Sequence, residues 1–132
     1  MDPNEGKTVV EIIEDIYSNK IKGLYVQGEN PAMSDPDQNH ARKALAKLEH
    51  LVVQDIFMTE TAWHADVILP ASAHAEKNGT YTNTNRQVQL GRAVVKTPEN
   101  VKQDWWIIQE IAKIDGFLGF SINLKKKIKL EN

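Results

Sequence analysis

The chain of 132 residues contains no cysteine. That absence removes disulfide scaffolds, thiolate zinc sites, iron–sulfur ligation and thiol nucleophiles from what this chain supplies itself. Basic residues are not in excess: 16 Lys and Arg stand against 18 Asp and Glu, a net charge of −2. The broad positive face that a nucleic-acid backbone demands is therefore missing, and no nucleic-acid partner is expected. No apolar run approaches the roughly 18 residues of a membrane span. The N-terminal residues show no apolar signal-peptide core, so no membrane association is expected and the reading is cytoplasmic. With 41% hydrophobic and 26% charged residues, the composition is that of a folded domain rather than a disordered chain.

Along the chain, Thr8-Val9-Val10-Glu11 has the spacing of a capping box. Val9, Ile12, Ile13 and Ile16 follow at helical spacing, which predicts an amphipathic helix of about three turns. Gly23-Leu24-Tyr25-Val26 predicts a buried strand that stops at Gly28-Glu29-Asn30-Pro31. Pro36 and Asp37 open a second helix with Ala41, Ala44, Leu45 and Leu48 on one face. Leu51-Val52-Val53 reads as a second strand, a helical turn falls within residues 59–64, and Asp66-Val67-Ile68-Leu69-Pro70 as a third strand. Strands alternating with helices predict parallel pairing, because parallel neighbours need a crossover long enough for a helix. The expected class is α/β: a three-layer αβα arrangement around a mainly parallel sheet with Rossmann-like topology. Residues 76–92 read as a hairpin-like excursion with Asn78-Gly79 as a tight-turn signal. Asp104 is read as the cap of a last helix carrying Trp105, Ile108, Ile111 and Ala112 and ending near Gly116.

In open parallel sheets, ligands bind beyond the carboxyl ends of the strands. Three such ends carry polar or turn residues here. Gly28 allows close backbone approach, and Asn30 and Ser34 offer amide and hydroxyl groups, although a plain strand-to-helix connection explains the same residues. A carboxylate at Asp55, beside Gln54, matches the N–H edge of a purine such as guanine; a cap on the next turn accounts for it equally. Lys77 beside a turn suits a diphosphate, and a solvated surface lysine is the plainer alternative. The G-x-G-x-x-G and P-loop fingerprints are absent. His40, His50, His64 and His74 show no metal-ligand spacing, and His74 near Ser72 lacks a nucleophile elbow, so no metal and no catalytic residue are assigned. Trp105 and Trp106 are read as core and interface packing, and the lysines of residues 125–129 as a solvated tail.

Taken in order, these segments resemble the molybdopterin oxidoreductases, most closely the alpha subunits of formate dehydrogenases. The resemblance rests on residues 23–36 (GLYVQGENPAMSDP), 51–62 (LVVQDIFMTETA), 65–71 (ADVILPA) and 76–83 (EKNGTYTN), with Arg86, Gln89 and the DWWII helix start at 104–108. It covers roughly residues 22–116. It implies a domain at 1–117 that holds one molybdopterin guanine dinucleotide in an enzyme carrying molybdenum or tungsten, with residues 118–132 a basic tail outside the match. By position it implies that Gly28, Glu29, Asn30 and Ser34 line the dinucleotide from the first strand end, Gln54 and Asp55 from the second, and that Lys77 and Asp104 contact it further on.

In formate dehydrogenases the metal is held by a cysteine or selenocysteine assisted by a histidine and an arginine, and four cysteines hold an N-terminal cluster. None of these motifs is present, nor is the family's C-terminal β-barrel. The expectation is a cofactor-binding portion of such an enzyme, without turnover of its own. Its implied partners are the remaining domains of the parent alpha subunit and its electron-transfer subunits, and exposed interdomain surfaces open a route to a homodimer. The competing readings are a nitrate reductase relative, a structural module like that in the large subunit of NADH dehydrogenase, and a stand-alone nucleotide-binding regulator.

Overall fold

The computed structural model describes residues 5–114. The chain divides into two compact units, Met1–Ala73 and His74–Asn132. The expected helix end near Gly116 and the lysine-rich segment fall outside the described residues.

In the first unit, helix α1 spans Val9–Tyr17 and starts with the capping box its sequence predicts. The Thr8 N–H donates to the Glu11 carboxylate at 2.7 Å, and the Glu11 N–H donates back to the Thr8 hydroxyl at 3.4 Å. The helix buries Ile13 and Ile16, and also Asp15, whose carboxylate meets Lys7 at 2.7 Å and Lys20 at 3.0 Å. Those cations hold the Asp15 carboxyl below its usual range, hydrogen bonds from Lys7 and Lys20 being the larger causes.

Strand β1 (Gly23–Gln27) leads into a one-turn helix α2 (Pro31–Ser34). Helix α3 (Gln38–Leu45) follows, capped by the Asp37 carboxylate accepting from the His40 N–H at 3.0 Å. Strands β2 (His50–Asp55) and β3 (Val67–Pro70) complete a parallel sheet in the order β1-β2-β3. A single turn of tight helix, Ala62–His64, lies between them. The α/β class and the parallel sheet are thus as expected. Helix α2 was not read from the sequence because four residues are too few to show a period; Pro31 starts it, since its fixed φ already suits a first helical turn.

Side chains alternate across the sheet, and the register sets Leu24 beside Leu51 and Val26 beside Val53. These four share a face with Leu45 of α3, Ala32 of α2 and Ala62, forming one core cluster. Ile13, Ile16, Ala41 and Ala44 form a second, where α1 packs on α3.

In the second unit, strands β4 (Gly79–Thr82) and β5 (Val88–Gly91) pair antiparallel, as the hairpin reading expected. The turn, however, is not at Asn78-Gly79, where β4 begins. It lies at residues 83–87: the Asn83 side-chain oxygen accepts from the Gln87 N–H at 3.0 Å, and Arg86 takes a positive φ of 67°. An asparagine side chain that mimics a backbone acceptor stabilises a turn without glycine. Helix α4 spans Asp104–Ile114. Asp104 is its first residue rather than the residue before it, and the Gln103 carbonyl accepts the first helical N–H groups, from Trp106 and Ile107. Ile107 is its buried side chain, whereas Trp105, Trp106 and Ile108 stay more than a third exposed. Of the stripe read from the sequence, Ile111 and Ala112 are half-buried, while Trp105 and Ile108 are exposed. Among the described residues, no helix is long and apolar enough to cross a membrane.

Candidate functional site

The carboxyl ends of β1 and β2 lie side by side, Gln27 against Gln54. Just beyond, the Gly28 N–H donates to the Gln54 carbonyl at 2.9 Å. Gly28 has a φ of +63°, and a side chain built there would meet nothing within 4 Å. The position is therefore set by backbone conformation, and the space over it stays open to an incoming group.

Gln54 is completely buried, and its side-chain oxygen accepts the Tyr25 hydroxyl hydrogen bond. Asp55 is half-buried. Its backbone carbonyl accepts from Ala71 at 3.0 Å, tying β2 to the end of β3. Its Oδ1 accepts from the Ile56 N–H at 2.7 Å, and among the described residues Oδ2 has no hydrogen-bond donor.

Asn30 is built into a network rather than left on the surface. Its Oδ1 accepts from the Thr61 hydroxyl at 2.8 Å and the Thr61 N–H at 3.1 Å. Its Nδ2 donates to Glu60 at 2.7 Å. Glu60 is held below the usual carboxylate range, first by that Asn30 donor, then by its own backbone N–H and by the charge of Arg42. Glu29 and Ser34 are exposed and border a cleft of about 220 Å³ whose other walls include Val9, Ile12, Tyr25 and Pro31.

Six of the eight expected residues, Gly28, Glu29, Asn30, Ser34, Gln54 and Asp55, thus gather at the strand-end loops of the first unit. Lys77 and Asp104 lie in the second unit, where they form a half-buried ion pair with one another. Sequence reasoning did not find Thr61 or Tyr25. Both are chemically ordinary residues whose partners lie about thirty positions away; Thr61 is marked by its full burial beside Asn30, and Tyr25, which is 37% exposed, only by its hydroxyl bond to the buried Gln54. Among the described residues, no group of three or more His, Cys, Asp or Glu side chains is placed to hold a metal ion.

The model of the molybdopterin oxidoreductase family matches residues 2–114. The chain belongs to that family. It is 52% identical over 126 residues to a formate dehydrogenase subunit alpha of Methanocaldococcus jannaschii, covering 96% of this chain and 18% of that protein. A putative formate dehydrogenase of Bacillus subtilis is 43% identical over 112 residues, covering 85% of this chain and 11% of the relative. An assimilatory nitrate reductase catalytic subunit of the same bacterium is 43% identical over 114 residues, covering 86% and 16%. The chain of this molybdopterin oxidoreductase domain therefore spans less than a fifth of the length of these relatives. Among solved structures, acetylene hydratase of Pelobacter acetylenicus superposes with a TM-score of 0.72 at 24% identity, over 81% of this chain and 15% of that one. That likeness establishes the fold.

Proposed function

We propose that this domain binds one guanine dinucleotide arm of a molybdopterin cofactor within a formate dehydrogenase alpha subunit. The observation that carries the reading is the meeting of Gly28 and Asp55 at neighbouring parallel strand ends. There, a backbone with open space above it adjoins a carboxylate with one oxygen unused by the described protein groups.

The residues present fit such a group. Guanine carries two adjacent N–H donors, and the Asp55 carboxylate is the complementary acceptor, its orientation fixed by the Ile56 N–H. Gly28 lets main chain and ligand approach without a side chain between them. Gln54, locked by Tyr25, holds the second strand end in register with the first. Glu29 and Ser34 add polar contacts from the first loop. In the second unit taken by itself, Lys77 is a cation of the kind that meets phosphate oxygen, and it is held by its ion pair with Asp104. When bound, the cofactor supplies two-electron redox chemistry at its molybdenum or tungsten ion. The parent reaction on this reading is formate giving carbon dioxide, a proton and two electrons, passed to electron-transfer subunits. Nitrate reduction is the second reading, favoured by the nitrate reductase relative at 43% identity.

Calorimetric titration of the 132-residue chain with guanosine diphosphate tests the binding claim. Wild type is expected to bind, and Asp55→Ala to bind about tenfold or more weakly, the loss of a charge-assisted hydrogen bond. Equal heats, or none, for both proteins would overturn the reading.

A further inference from the structure

The fully buried hydroxyl of Thr61 has no counterpart among the residues expected at the site, yet it organises one whole corner. It donates to Asn30 Oδ1 at 2.8 Å and accepts from the Ala32 N–H at 3.0 Å. The Ala32 carbonyl in turn accepts from Arg42 Nε at 2.9 Å. The first strand-end loop, helix α2, helix α3 and the connection after β2 are therefore joined through Thr61.

The direction of the Asn30 amide follows from chemistry alone. A backbone N–H can only donate, so the Asn30 atom facing the Thr61 N–H at 3.1 Å must be the oxygen. A carboxylate can only accept, so the atom facing Glu60 at 2.7 Å must be the nitrogen. Turning the amide over would set donor against donor and acceptor against acceptor. Both Thr61 donors thus occupy Oδ1, and Glu60 takes one of the two Nδ2 hydrogens. Among the described residues the second Nδ2–H has no acceptor.

We infer that Thr61 is a positioning residue for the strand-end site: it occupies the Asn30 amide oxygen with both of its donors, so that this side chain offers a ligand an N–H and not its oxygen. The group that the Asn30 amide presents is then matched by an acceptor oxygen, whether from phosphate or from sugar. The ligand part of this inference rests on the nucleotide-binding reading above; the orientation of Asn30 does not.

Two measurements on the full chain separate the two parts. The first is carbon-detected NMR titration of Glu60, whose carboxylate faces the Asn30 amide, its own backbone N–H and the charge of Arg42. In wild type and Thr61→Ser, Glu60 is expected to titrate below an ordinary glutamate, with the Asn30 amide signals moving at the same midpoint. In Thr61→Val the amide keeps the Thr61 N–H but loses the shorter hydroxyl bond, so it is held less closely and the Glu60 midpoint is expected to rise toward the ordinary value. An unchanged midpoint in a folded Thr61→Val protein overturns the inference. If Thr61→Val does not fold, wild type decides: Asn30 amide signals that ignore the Glu60 titration overturn it.

The second measurement compares guanosine diphosphate and guanosine binding. Thr61→Val is expected to weaken guanosine diphosphate about tenfold, with Thr61→Ser restoring it. A parallel loss for guanosine assigns the contact to the sugar, and a loss confined to the diphosphate assigns it to phosphate. Unchanged affinity for both overturns the ligand part. No binding by wild type sinks the nucleotide reading and leaves the orientation of Asn30 to the Glu60 titration.

Discussion

Replacing Gly28 by alanine sets two effects of opposite sign against each other. Alanine restricts the unfolded chain, which by itself stabilises the folded state by about 0.4–1 kcal/mol. At Gly28, however, φ is +63°. An L-residue in that region costs roughly 1–2 kcal/mol, because its Cβ crowds the following carbonyl. The added Cβ meets nothing within 4 Å, so no clash with neighbouring groups enters the balance. The backbone term therefore wins, and Gly28→Ala is expected to lose about 1 kcal/mol. Asparagine tolerates the left-handed region better than other side chains, so Gly28→Asn is expected to fall between glycine and alanine.

Gly23 provides the internal control. It lies in β1 without a positive φ, and an added Cβ there would stand 3.8 Å from the His50 carbonyl, an ordinary contact. Gly23→Ala is expected to stabilise by about 0.5 kcal/mol, so the two alanine variants should differ by about 1–2 kcal/mol. Trp63 and the pair Trp105 and Trp106 lie in different units, so tryptophan fluorescence would mix two transitions. Native-state amide exchange of Leu51 and Val53, in the central strand β2, reports on the first unit alone. A Gly28→Ala protein as stable as wild type, or more so, would refute the claim that this strand end depends on a left-handed backbone.

Leu45→Ala is expected to cost about 2–5 kcal/mol, since Leu45 is 2% exposed within the cluster of Val26, Leu51 and Val53; urea unfolding followed at the same β2 amides measures it. The Asp15 carboxyl is depressed in the folded chain, so its pairing with Lys7 and Lys20 stabilises above the unfolded pKa of about 3.9 and is lost as pH falls through the lower folded value. Melting curves of wild type and Asp15→Asn should accordingly differ near neutral pH and converge in strong acid. Gly91→Ala would bring its Cβ within 2.5 Å of the Tyr81 ring, and is expected to loosen the hairpin by about 1–3 kcal/mol, read as faster amide exchange at Thr80 and Leu90. Formate oxidation assayed on the purified 132-residue chain is expected to be absent, because this chain supplies neither cysteine nor selenocysteine to the metal.

Local chemistry was enough to specify most elements by sequence alone. The Thr8-to-Glu11 capping box, the Asp37 cap and the apolar runs at β1, β2 and β3 each act over a few residues, so their spacing in the chain is their spacing in space. The strand-end residues Gly28, Asn30, Gln54 and Asp55 were legible for the same reason, since parallel topology places consecutive carboxyl ends at one edge. Within four residues, however, Asp104 as cap and Asp104 as first helical residue look alike, and its ion pair with Lys77 spans 27 positions. The Tyr25 bond to Gln54 spans 29 positions and the Thr61 bond to Asn30 spans 31. No periodicity reaches across a crossover of that length. Which polar groups are buried together, and which way a buried amide must face, became fixed only when the register of β1 on β2 brought those distant donors and acceptors within hydrogen-bonding reach.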